Sequence, residues 1–113
     1  MQSIAPETIF RGNLAWQKSL PQITKLTKSP LILGRGIHTN NLRNKIYRDL
    51  RNQNLCVNSA NLEFDCCYED ISRVKNIILK NNHDSVIAAG GGKVLDSGKY
   101  IADCLNIPVL QCP

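Results

Sequence analysis

Two hydrophobic patterns alternate along the chain. Short apolar runs predict strands that are buried on both faces of a parallel sheet. The longer segments between them carry apolar residues at intervals of three and four, which is typical of helices with one buried face. The runs predict strands at Thr8–Phe10, Leu31–Leu33, Leu55–Val57, Val86–Ala89 and Pro108–Gln111. This alternation predicts an α/β fold, a Rossmann-like parallel sheet flanked by helices.

The first helix is the hardest to place. Its apolar positions Trp16, Leu20 and Ile23 lie on one face and predict a helix that extends to about Lys28. Pro21 interrupts this segment, because proline has no amide hydrogen and its ring clashes with the preceding turn. The sequence therefore predicts a helix that either begins near Ser19 or kinks at the proline.

The remaining helices have clearer boundaries. A helix is expected from a cap at Thr39 through Arg51. A loop is expected from Asn61 to Cys67, and the next helix should open at Glu69–Asp70, where acidic residues favour the positive end of the helix dipole. Its buried stripe is expected to include Leu79.

The most informative stretch is a glycine turn between a predicted strand and the last helix. Gly90, Gly91 and Gly92 have no side chains to keep a phosphate away, and the first amides of the helix lack internal partners. Lys93 adds a positive charge. The turn is not a Walker loop, and Leu95 stands where the dinucleotide fingerprint has Gly or Ala. The turn predicts a nucleotide diphosphate cradle, although a tight turn without a ligand would have the same glycines.

Length and charge narrow the class of protein. The chain has 113 residues, enough for one domain (1–113) with a modest core. No apolar run approaches a membrane span, and the first residues lack the pattern of a signal peptide. The net charge is +5, but the basic residues occupy scattered helix positions without interleaved aromatic residues. We therefore expect neither nucleic acid nor a membrane as a partner.

The cysteines and histidines offer little chemistry. The chain has five cysteines, an odd number without a Cys-x-x-Cys pair, which favours free thiols and a cytoplasmic location. The adjacent pair Cys66–Cys67 is a poor metal chelate and is expected to be inert. His38 and His83 lie far apart in the sequence and are expected to be surface or capping residues. No catalytic residue and no metal ligand is predicted in this chain.

A family resemblance adds a function. The segment Gly90–Lys93, followed by Asp96, Lys99, Ile107–Pro108 and a strand, resembles the cofactor-binding half of glycerol dehydrogenases and glycerol-1-phosphate dehydrogenases. These enzymes belong to the iron-containing alcohol dehydrogenase and dehydroquinate synthase-like superfamily. The resemblance implies that the turn binds the diphosphate of NAD or NADP. Asp96 would order the turn or the cofactor, or would serve only as a helix-start carboxylate that pairs with Lys99.

A second turn, Gly34–Gly36, follows the predicted strand Leu31–Leu33. In the resembled pattern an acidic residue commonly stands there and binds the adenosine ribose, but here the matching position holds Arg35. A guanidinium can pair with a ribose 2′-phosphate through two hydrogen bonds, so Arg35 favours NADP, while a plain surface arginine remains an equal alternative. The predicted cofactor-binding residues are Gly90, Gly91, Gly92, Lys93, Asp96 and Arg35.

The resemblance also implies what the complete enzyme would contain. In the family a helical domain follows and supplies the metal ligands, so we expect this chain to be a partial nucleotide-binding domain, truncated before that domain, with zinc or iron only in the missing part. The implied reaction is oxidation of a secondary alcohol, a small polyol or glycerol phosphate, by hydride transfer to nicotinamide. Two questions stay open: whether the chain is an enzyme, and whether it forms a homo-oligomer. The alternatives are a non-catalytic remnant, a nucleotide-binding module, or glycerol-1-phosphate dehydrogenase-type specificity.

Overall fold

The computed structural model describes residues 7–9, 12–36, 40–63 and 67–112. Within them, parallel strands alternate with helices. The strands are β1 (Glu7–Ile9), β2 (Pro30–Gly34), β3 (Asn58–Asn61), β4 (Ser85–Ala89) and β5 (Val109–Cys112). The helices are α1 (Gly12–Leu26), α2 (Asn40–Asn52), α3 (Tyr68–Asn81) and α4 (Gly92–Leu105). The predictions for Phe10, His38, Thr39, Cys66 and loop residues 64–66 lie outside the described residues.

The strands form one sheet in the order β1-β5-β4-β2-β3, and all neighbours are parallel. Side chains from α1 and α2 form a core on one face of the sheet, together with Ile32, Ile87 and Leu110. Side chains from α3 and α4 form a second core on the other face, with Leu33 and Ala88. The sheet is therefore doubly wound, and the predicted α/β Rossmann-like class is confirmed.

Helix α4 lies unusually close to the sheet. A Cβ atom at Gly98 would stand 2.8 Å from the Cβ of Ala88 and in contact with Leu33 and Val86. Any side chain at position 98 would force α4 outward, because real Cβ atoms do not approach so closely. The glycine in the helix interior is thus explained by packing against β2 and β4.

The predicted strand at Leu55–Val57 is wrong. The strand begins three residues later, and Asn61, expected in a loop, is its last residue. Strand β3 lies at the edge of the sheet, where only Ala60 is buried and its other residues face solvent. Leu55 and Val57 are buried in the core without belonging to a strand. The apolar run therefore marked a buried connection, while the true strand is polar because it is an edge.

Helix α1 begins at Gly12 and continues through Pro21, so the first of the two predicted alternatives, a start near Ser19, is wrong. The proline removes the hydrogen bond that would go to the carbonyl of Gln17. Both residues are exposed, so this carbonyl can bind water instead. A proline is tolerated here because it lies on the solvent face of the helix.

The stripe of α3 is narrower than predicted. Val74 and Ile78 are buried, but Leu79 is 61% exposed, so its predicted place in the buried stripe is wrong. A residue directly after Ile78 turns about 100° away from the sheet, which carries it out of the core. None of the helices that the structure describes is long and apolar enough to cross a membrane.

The sequence suggested that His83 is a surface or capping residue, but the structure shows that it is not on the surface. It is only 6% exposed, with Nδ1 3.0 Å from the carbonyl oxygen of Ser29 and Nε2 3.1 Å from Nδ2 of Asn58. The neighbouring Asp84 accepts hydrogen bonds from the backbone amides of Lys28 (2.8 Å) and Ser29 (3.2 Å). These bonds join the segments that enter β2, β3 and β4 at the amino edge of the sheet.

Candidate functional site

The two glycine-containing turns lie side by side at the carboxyl edge of the sheet. Strands β2 and β4 are neighbours, with Leu33 paired to Ala88, so the turns that follow them begin at adjacent points. Helix α2 then leaves over one face of the sheet and α4 over the other. This divergence opens a crevice at the topological switch point, the place where ligands bind in open α/β sheets.

The turn after β4 contains glycines of two kinds. Gly90 has a φ of 143°, a conformation that favours glycine, and its amide donates to the carbonyl of Cys112 at 3.1 Å. Gly91 has an ordinary extended backbone, and a Cβ at Gly91 or Gly92 would meet none of the described atoms within 4 Å. Neither backbone conformation nor packing requires glycine at these two positions. Their missing side chains leave the turn open to a ligand.

Helix α4 begins at this open turn. Its N-cap, Gly91, provides no side-chain hydrogen bond, although its carbonyl accepts the amide of Leu95 at 3.1 Å. The amides of the first turn have no acceptor within the helix, and the helix dipole is positive at this end. Lys93 lies in the same turn and is exposed. The arrangement can hold an anionic group by backbone donors and one ammonium.

Gln111 supports this turn and was missed by sequence reasoning. Its side chain is buried, and its Nε2 donates to the carbonyl oxygen of Leu95 at 3.3 Å. The bond ties the first turn of α4 to β5. The available signal was a polar residue inside an otherwise apolar predicted strand.

Asp96 lies in α4, four residues after its first residue, Gly92. It is exposed and contributes to a groove of about 330 Å³ between α3 and α4. The groove is also lined by Tyr68, Ile71, Ser72, Lys75, Ser97 and Tyr100. The ordering role of Asp96 at the glycine turn stays a prediction.

Arg35 lies where the sequence placed it, directly after β2, and its side chain is half-buried. The following Gly36 has a φ of +68°, which favours glycine and turns the chain sharply. The structure thus brings Arg35 and the Gly90–Lys93 turn to the two strand ends that border the crevice.

A second arginine at this turn was not predicted. Arg43 of α2 is only 6% exposed and lies over Gly34, where any Cβ would collide with the Arg43 side chain. Its guanidinium donates to the carbonyl of Gly36 and to the side-chain oxygens of Asn40 and Asn61. Burial lowers the pKa of Arg43. Its spacing from Ile46 and Leu50, three and seven residues, was the signal that it shares their buried face.

Asp70 was expected only to open α3, but it is buried and holds the segment after β3. Its carboxylate accepts the backbone amide of Glu63 at 3.1 Å and pairs with Arg73 at 3.2 Å. The hydrogen bond from Glu63 ties the segment after β3 to the start of α3.

The remaining chemistry of the described residues is limited. They contain no cluster of three His, Cys, Asp or Glu side chains that could hold a metal ion. Cys56, Cys67, Cys104 and Cys112 are free thiols, as predicted. Burial raises the pKa of Cys112 to about 12, so this thiol stays protonated near neutral pH although it lies beside the glycine turn.

These features define a doubly wound α/β domain with a turn suited to an anion at its switch point. The chain belongs to the iron-containing alcohol dehydrogenase family, whose sequence model matches residues 6–111. The superfamily expected from the glycine turn is therefore confirmed.

Two relatives and one solved structure show how far the similarity extends. Glycerol dehydrogenase 1 of Schizosaccharomyces pombe is 27% identical over 110 residues, which are 96% of this chain and 24% of that protein. An uncharacterised oxidoreductase of Synechocystis sp. is 27% identical over 112 residues, 98% of this chain and 28% of that protein. The crystal structure of glycerol dehydrogenase from S. pombe superposes with a TM-score of 0.80 at 24% identity, over 96% of this chain and 27% of the other. The chain thus spans about a quarter of the length of these relatives.

Proposed function

We propose that this chain is the NAD(P)-binding portion of an alcohol or polyol dehydrogenase of the glycerol dehydrogenase group. The observation that carries the proposal is the open glycine turn at the switch point. Neither the backbone conformation nor packing against the described residues requires glycine at Gly91 and Gly92. A dinucleotide diphosphate needs such an approach to the backbone. The similarity to glycerol dehydrogenase 1 of S. pombe supports the choice of group.

In this proposal each described group has a limited task. The first amides of α4 bind the diphosphate and the ammonium of Lys93 neutralises it, while Gln111 keeps that turn in place. Arg35 lies at the strand end where the adenosine ribose is expected and favours a 2′-phosphate. When bound, the nicotinamide accepts a hydride from the carbon of the alcohol.

Residues 1–113 form one partial nucleotide-binding domain in this proposal, and the substrate is a small polyol or glycerol phosphate. The iron in the name of the family would need ligands from outside the described residues. The chain therefore contributes cofactor binding and orientation, and the alcohol would be activated elsewhere.

The test uses Gly91→Ser, because serine is a favourable N-cap. Its hydroxyl would accept hydrogen bonds from the α4 amides that we assign to the diphosphate. We expect the melting temperature to stay equal or rise, while the dissociation constant for NADH, measured by calorimetry, rises about tenfold. Ser72→Ala on α3 is the control and should change neither value. Unchanged NADH binding by the Gly91 variant would refute the cradle.

A further inference from the structure

Among the residues that the structure describes, Arg43 is a buried cation without an anionic partner. The described groups that its guanidinium binds are all neutral. They are the carbonyl of Gly36 and the side-chain amide oxygens of Asn40 and Asn61, with Asn40 at 2.5 Å. Its Nε has no hydrogen-bond partner in the part of the chain that the structure describes. Buried charges are ordinarily paired, because an uncompensated charge in a low-dielectric site is costly.

The position of Arg43 shows what this charge acts on. The side chain packs on Gly34 and binds the carbonyl of Gly36, so it holds the backbone on both sides of Arg35. It also binds Asn61, which is paired with Gly34 in the sheet. The Arg43 guanidinium therefore fixes the turn after β2, and Arg35 is the central residue of that turn.

We propose that Arg43 is a positioning residue that fixes the Gly34–Gly36 turn and, together with Arg35, makes this end of the crevice selective for a phosphomonoester. In the proposed function, on which this inference rests, that group is the 2′-phosphate of NADP. Arg43 acts in two ways. Its bonds hold Arg35 in a fixed place, and its unneutralised charge favours an anion beside the turn.

The experiment compares the dissociation constants of NADP and NAD for the full chain at one salt concentration. The variants are Arg43→Met, which removes the charge and the bonds, and Arg43→Lys, which keeps the charge but cannot reach all three acceptors. Arg48→Met, an exposed arginine of the same helix, is the matched control. We expect the wild type to prefer NADP, Arg43→Met to lose about tenfold of that preference, and Arg43→Lys to lose part of it.

The outcomes separate this inference from the proposed function. If Arg43→Met weakens the binding of NADP and NAD equally, Arg43 has a merely structural role and the inference is overturned. Binding of NAD without preference for NADP by the wild type would overturn the inference and leave the dinucleotide site standing. Absence of binding to either cofactor would overturn both.

A second measurement covers the case in which the Arg43 variants do not fold. Adenosine 2′-monophosphate is titrated into the wild-type chain, and the NMR signals of the Gly34–Gly36 amides and of the Arg43 Nε–H are followed. Shifts larger than those caused by adenosine support the inference. Signals that respond equally to both compounds, or to neither, overturn it.

Discussion

The amino edge and the carboxyl edge of the sheet differ in what their polar groups bind. At the amino edge, His83 and Asp84 bind side chains and amides of the segments that lead into the neighbouring strands. At the carboxyl edge, the N-cap of α4 is a glycine, and a Cβ at Gly91 or Gly92 would meet none of the described atoms within 4 Å. Polar groups that satisfy one another stabilise a fold, whereas donors left without protein acceptors are available to a ligand.

The largest expected effect is on stability, at the amino edge. Asp84→Ala removes the acceptor for two backbone amides and for the hydroxyl of Thr27. Leaving such donors unpaired should lower the free energy of unfolding by about 3 kcal/mol, measured by urea denaturation. NADH binding by the folded fraction should not change. Asp103→Ala, which removes an exposed carboxylate of α4, is the control, and an equal loss in both variants would contradict the comparison.

At the carboxyl edge the expectation is reversed. Lys93→Met should leave the melting temperature nearly unchanged, because the side chain is exposed. The dissociation constant for NADH should rise roughly 10- to 100-fold, since a charge-assisted bond to phosphate contributes about 1.5–3 kcal/mol. Lys75→Met on α3 serves as the matched control. If both lysine variants lose the same affinity, the turn acts only through a diffuse positive field.

The smallest effect is expected away from both edges, between α1 and α2. Burial raises the pKa of Asp49, but hydrogen bonds from Trp16 and Lys45 and the charges of Lys45 and Arg48 outweigh it, so the net shift is downward. A lowered folded-state pKa stabilises the protein above the unfolded value of 3.8, and this contribution is lost as the pH falls through the folded pKa.

Urea denaturation between pH 2 and pH 6 measures this contribution. The wild type loses free energy of unfolding as the pH falls from 6 to 2. Asp49→Asn should make this loss smaller by at most about 1 kcal/mol, because the pair with Lys45 is partly exposed. Arg51→Gln, on the same helix, should leave the slope as it is. A steeper slope in the Asp49 variant would reverse the assigned sign.

The open edge could be predicted from the sequence, because its features are local. Val86–Ala89 is an apolar run, and Gly90–Gly92 is followed at once by helical spacing, so the strand, turn and helix each have their own signal. The strand before Arg35 is equally distinct. Doubly wound topology then brings the two strand ends together without further information.

The parts that were missed depend on distant partners. An edge strand such as Asn58–Asn61 needs no apolar run, since one side of it faces water. The strand was instead predicted at the nearby apolar run Leu55–Val57, which is a buried connection. His83 and Arg43 are polar residues whose burial requires acceptors supplied by other elements. Such partners are brought together only by tertiary structure, so the residue types alone did not predict that these side chains are buried.

The absent side chain of Gly98 also has a consequence for binding. Because α4 rests directly on Ala88, it has little freedom to slide or rotate over the sheet. Its first amides are therefore already oriented before any ligand arrives, and binding requires little ordering of the chain. A preorganised site of this kind retains more of its contact energy as affinity. If α4 binds the cofactor as proposed, the hydrogen atom at position 98 contributes to that affinity from the face of the helix that packs on the sheet.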